Sequence, residues 1–167
     1  MDPLVLSLLL YLKTNLGIEL MDPQHDRPSY TVVTQKEMIA MKGTDALGIC
    51  IDGKIFIENV VDLSTTTGKA VLLHELVHYT QHYCPLAKDW VQYSWNERVA
   101  YAAQNSYLRD KGSTERVHMP NSEGLEYYED VMYPLRKKGP CGYSCPPAVE
   151  PETPEKIRER FKQAEAQ

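Results

Sequence analysis

The stretch Val71-Leu72-Leu73-His74-Glu75-Leu76-Val77-His78-Tyr79 sets two histidines four residues apart, with a glutamate directly after the first. Four residues make little more than one helical turn, so on a helix both imidazoles share a face and can ligate a single zinc ion. Glu75 then lies beside the open position of that ion, placed to take a proton from a coordinated water. A catalytic zinc normally takes three protein ligands and keeps one place for water, so this segment alone is one ligand short.

Glu97 is the candidate for the third. It lies near the start of a second helix predicted from about Ser94 to Lys111, with Gly112 as its C-terminal cap. On that helix Glu97, Tyr101, Gln104 and Leu108 recur on one face, while Trp95, Val99 and Ala102 line another that packs on the core. A competing role exists for Glu97, because Ser94-Trp95-Asn96-Glu97 fits a capping box in which the glutamate bonds the N-cap amide and holds no metal. His82 continues the stripe of His74 and His78, but eight residues of helix rise about 12 Å, and ligand nitrogens sit about 2 Å from zinc. His82 therefore falls outside the metal shell and caps the carbonyl end of the helix or bonds a neighbour. His25 is a lone loop histidine, expected to be solvated.

The elements that must position these groups are readable from periodicity and punctuation. Residues 4 to 16 carry apolar side chains at helical spacing, with Pro3 in the first turn and Gly17 as cap. Residues 21 to 29, with Pro23 and Pro28, read as a loop. Tyr30 to Thr34 reads as a strand, and Gln35 to Met41 as a short helix ended by Gly43. Leu47 to Glu58 is a hairpin about Asp52-Gly53, the pair that supplies the positive φ angles of a type I′ turn. Alternation suggests that Ile49, Ile51, Ile55 and Ile57 share its buried face. The motif helix is predicted from about Thr65 to Tyr83, capped among Asp62 to the threonines and stopped by Pro85. Val71, Leu72, Leu76 and Val77 surround the histidines, so their face looks into a cleft.

Beyond Gly112, residues 113 to 121 read as irregular and 123 to 132 as a short tyrosine-rich helix or strand. Residues 139 to 154 form a Pro- and Cys-rich stretch, and 154 to 166 a charged helix with Ile157 and Phe161 to dock it. The whole reads as α+β: a small antiparallel or mixed sheet with its hairpin packed on the motif helix, and a second helix bearing Glu97. Residues 1–139 are expected to form a single domain, followed by a tail from 140 to 167.

Composition narrows the partners. With a formal charge of −5 over 167 residues and no basic block beyond Arg136-Lys137-Lys138, nucleic acid is not expected as a partner. The apolar run Leu4 to Leu12 is too short to span a bilayer and follows Asp2, not basic residues. Cys50, Cys84, Cys141 and Cys145 contain no CxxC pair. Cys141 and Cys145 suit a local disulfide in an exported protein and free thiols in a cytoplasmic one, so both compartments stay open.

The segment from about 47 to 111 resembles the gluzincin group of the zincin clan of zinc metallopeptidases, whose pattern is His-Glu-x-x-His on one helix and a glutamate ligand on the next. Asn96-Glu97-Arg98-Val99-Ala100 also resembles the Asn-Glu-x-x-Ala stretch around the third ligand in many of them. Beyond this, the nearest likeness is to small bacterial metallopeptidases of unassigned substrate. The glycine turn and third histidine of metzincins are absent after His78. The resemblance implies a minimal zincin-like domain holding one Zn2+ per chain on His74, His78 and Glu97. Glu75 would be the general base that passes its proton to the leaving amine of a peptide or protein substrate. In larger gluzincins a downstream tyrosine or histidine steadies the oxyanion; Tyr101, His118, Tyr127 and Tyr128 are the candidates here. The same resemblance gives Lys54 to Glu58 the role of the cleft-edge strand that holds an extended peptide. Two other classes compete: a non-catalytic binding module of this fold, zinc-stabilised or metal-free, and a zinc amidase acting on a non-protein amide.

Overall fold

The computed structural model describes residues 1–18, 27–43, 45–82 and 90–117, with only the backbone of 90–96. In chain order it has α1 (Pro3–Tyr11), which runs on as a π-helical turn (Leu12–Leu16), β1 (Tyr30–Val33), α2 (Gln35–Lys42), β2 (Gly48–Ile51), β3 (Lys54–Glu58), α3 (Thr66–His82) and α4 (Trp90–Asp110). The three strands form a mixed sheet in the order β1-β3-β2, with β1 parallel and β2 antiparallel to β3. The described residues are thus α+β, as the periodicity indicated.

Local chemistry explains the short elements. Asp2 caps α1 by accepting from the Leu4 amide at 2.7 Å, and Val5, Leu8, Leu12 and Leu16 bury one face. Gly17, at φ 69°, ends that run after the π turn. Thr34 and Glu37 cap α2 reciprocally, each side chain bonding the other residue's backbone amide, and Gly43 closes it.

The hairpin turns where expected, with Asp52 at φ 49° and Gly53 at φ 70°. Its buried face is a correction to the sequence reading. Across a two-residue turn Ile51 pairs with Lys54 and Ile49 with Phe56, whereas Cys50 pairs with Ile55 and Gly48 with Ile57. Directly paired residues share a face, so Ile49 and Ile51 leave the side occupied by Ile55 and Ile57. Gly48 and Cys50 take their place toward α3. The sheet order corrects a second expectation: Lys54 to Glu58 is the central strand, flanked by β1 and β2, and β2 is an edge among the described residues.

Around α3 the rest is assembled. It packs against α4, α1, β2 and β3, and Ala70, Leu72, Leu73, Leu76 and Val77 are fully inaccessible within one cluster with Val5, Leu8, Ile57, Val99 and Leu108. A helix buried on most of its circumference must be apolar on most of it, which this segment is apart from His74, Glu75, Thr80 and Gln81. Thr65 starts it, its hydroxyl accepting from the Gly68 amide at 3.0 Å and donating to the Asp62 carbonyl at 2.7 Å. The Asp62 carbonyl lies so close that a Cβ at Gly68 would stand 2.0 Å from its oxygen.

The second helix begins at Trp90, earlier than Ser94, because the capping pattern at Ser94 falls inside it. It ends as expected: Gly112 sits at φ 75°, with the Ser113 amide on the Leu108 carbonyl and the Gly112 amide on that of Arg109. Asn105 then clamps Val117, donating to its carbonyl at 3.0 Å and accepting from its amide at 2.8 Å. Among the described residues no helix is long and apolar enough to cross a membrane. Expectations for His25, Pro85, Cys84, the Trp95 side chain, and everything from His118 onward fall outside the described residues.

Gly68→Ala is expected to lower unfolding free energy by about 1–3 kcal/mol, because a backbone carbonyl must move to admit the methyl. An unchanged denaturant midpoint would contradict the close approach at Asp62.

Candidate metal centre

One turn of α3 brings His74 and His78 together, with their Nε2 atoms 3.1 Å apart. Glu97 of α4 reaches across the helix pair, its Oε2 3.5 Å from His74 Nε2 and its Oε1 3.4 Å from His78 Nε2. Ligand atoms around a tetrahedral zinc, each about 2.0–2.1 Å from the ion, stand about 3.3–3.4 Å from one another. The two imidazole nitrogens and the Glu97 carboxylate, which turns one oxygen to each ring, offer ligand atoms within 4.8 Å of one another and form a group that could hold a metal ion. Glu97 lies well inside α4, whose first residue is Trp90, so its carboxylate serves the histidines and not a helix cap. His82 is exposed and does not belong to the group.

The remaining imidazole nitrogens are also engaged. His74 Nδ1 lies 3.0 Å from Gln104 Oε1, and His78 Nδ1 lies 2.8 Å from Gln81 Oε1. The Tyr101 ring stands edge-on to His74 with centroids 4.5 Å apart. Glu97, Tyr101 and Gln104, the stripe read from spacing, therefore all meet His74. Val99 and Ala102, on the other face, are fully buried.

Charge and burial compete at this site. Burial pushes the Glu97 carboxyl up, but the contacts with His74 and His78 outweigh it and hold the group well below the usual carboxylate range. At His78 burial pulls downward, and the Glu97 hydrogen bond, with the charges of Glu75 and Glu97, more than offsets it to raise the pKa.

Glu75 is 6% exposed, and no hydrogen bond holds its carboxylate among the described residues. It lies against Gly48 of β2, where a Cβ would stand 2.8 Å from its Cγ and 2.9 Å from its Oε1. Gly48 therefore makes the room in which this carboxylate sits. On the same face of β2, the free thiol of Cys50 is pushed up to about 12 by burial first and by the charge of Glu75 second.

Compared with protein-family models, with curated proteins and with solved structures, the chain matches none. The structure brings together His74, His78 and Glu97, with Glu75 beside Gly48 and Tyr101 against His74. It does not describe His118, Tyr127 or Tyr128. Sequence reading gave no role to Gln81, Gln104 or Gly48. Gln81 is three residues after His78 and Gln104 seven after Glu97, spacings that place each on a ligand's own helix face. A glycine inside a predicted strand marks a close approach.

Purified protein stripped of metal and titrated with zinc is expected to bind about one ion per chain, with an accompanying rise in melting temperature. His78→Ala and Glu97→Ala are each expected to weaken that affinity by at least about 100-fold. In the metal-free protein, the lowered Glu97 contributes stability present above its ordinary pKa of 4.5 and lost as pH falls through its folded value. The raised His78 contributes stability present below its ordinary 6.5 and lost as pH rises through its folded value. Melting temperature should thus gain most from this pair between those two values, and Glu97→Ala should flatten the profile there.

Proposed function

We propose that the chain is a zinc-dependent peptidase of the kind its resemblance to gluzincins implies, with His74, His78 and Glu97 as ligands and Glu75 as general base. The observation that carries this reading is the coincidence of the His74, His78 and Glu97 ligand group with a carboxylate on the residue after His74 that no hydrogen bond holds among the described residues. Zinc held by this group would supply a Lewis acid that acidifies a coordinated water and polarises a carbonyl. Glu75 accepts the water's proton and delivers it to the leaving amine. Gly48 keeps the carboxylate's space clear.

Sheet register supports a peptide as substrate and moves the edge role from Lys54–Glu58 to β2. The Glu58 amide donates to the Leu47 carbonyl at 2.9 Å. By the alternation of an antiparallel ladder, Leu47, Ile49 and Ile51 then turn their polar groups toward β3, and Gly48 and Cys50 turn theirs outward along the edge. An extended peptide pairing with those groups would run beside Glu75. Tyr101, against His74, is the described candidate for steadying the oxyanion.

Glu75→Gln is expected to bind zinc as the wild type does and to lose about 10²–10⁴ in kcat/KM toward a mixed peptide library read by mass spectrometry. Hydrolysis retained in that variant would remove Glu75 from the mechanism. A zinc-loaded wild type that cleaves no peptide would favour the binding-module reading.

A further inference from the structure

We infer that Gln81 and Gln104 are positioning residues of the metal centre, holding His78 and His74 in the tautomer and ring orientation that present Nε2 to a cation. The inference deepens the metal-centre reading and rests on it. Both glutamines are buried, at 4% and 5% exposure, and each places a side-chain oxygen within hydrogen-bond distance of an imidazole Nδ1.

An amide oxygen only accepts, so each of these bonds keeps a proton on Nδ1, and in the neutral ring the lone pair is then the one on Nε2. Without such partners an imidazole is free to carry its proton on Nε2, where it blocks ligation. The two bonds also fix the ring planes. His74 is held by Gln104 on one nitrogen, faces Glu97 on the other and meets the Tyr101 ring edge-on.

The two glutamines differ in where they come from. Gln81 shares α3 with His78, so that orientation is local to one helix. Gln104 stands on α4 with Glu97, so the docking of α4 on α3 delivers the third ligand and the His74 orienter together. Both partners are neutral amides. They orient the imidazoles without adding negative charge, which leaves Glu97 as the sole anionic member of the ligand group.

The test is the dissociation constant for zinc alone, measured by competition with a chromogenic chelator on full-length protein. Gln81→Met and Gln104→Met keep the side-chain volume and remove the acceptor, and each is expected to weaken zinc binding by about 10–100-fold. Gln81→Glu and Gln104→Glu restore an acceptor and are expected to recover most of the loss, a rescue that a packing role would not produce. Long-range proton–nitrogen NMR of the metal-free wild type is expected to show the neutral forms of His74 and His78 protonated on Nδ1, a readout that depends on no variant folding. Wild-type affinity in both methionine variants, or rings protonated on Nε2, would overturn the inference while leaving the metal site standing. A wild type that binds no zinc would overturn both.

Discussion

The contact of α4 with α3 is the constraint on which the rest of the molecule depends. Glu97 bridges His74 and His78 only if the two helices approach closely, and Ala100, on the same stripe as Glu97 and Gln104, offers the small side chain that allows it. The opposite side of α3 is braced by α1 and by the face of the sheet that carries Ile55 and Ile57. A rotation of α3 by one position would put Leu73 and Val77, or in the other sense Glu75 and Tyr79, where the imidazoles stand. Apolar packing around α3 is thus what fixes the direction of its polar groups.

That arrangement buries His74, Glu75, Gln81 and Gln104 beside a largely apolar core. Buried polar atoms are tolerated when they satisfy one another, and here they do so in a chain: amide oxygen to imidazole, imidazole to carboxylate, imidazole to amide oxygen. Glu75 stands outside the chain. It lies against a glycine and a thiol that burial keeps protonated, and its charge acts on His78.

Much of this was legible in the sequence, for identifiable reasons. The motif helix, the helix of Glu97 and the Asp52-Gly53 hairpin each carry a local signal, whether periodicity, a cap or a turn pair, and each formed within a few residues of where that signal lay. The Ile49 and Ile51 face was misread because alternation was carried straight through a two-residue turn, across which odd positions pair with even ones. The edge role of Lys54–Glu58 failed because parallel pairing with Tyr30–Val33 is a long-range choice that neither strand announces. The start of α4 at Trp90 was hidden by a capping pattern that lies inside the helix. Gln104 was on the right stripe, but spacing alone does not say which atom a side chain will meet.

The hairpin has a consequence for how this site tolerates change. Because side chains alternate along a strand, adding or removing a single residue at the exposed Asp52-Gly53 turn, with β3 left in place, would exchange the two faces of β2. Ile49 after an addition, or Leu47 after a removal, would then stand where Gly48 now leaves space for Glu75. The length of a surface turn is in this sense part of the specification of a buried carboxylate, and insertions at this loop should be read as changes to the site itself.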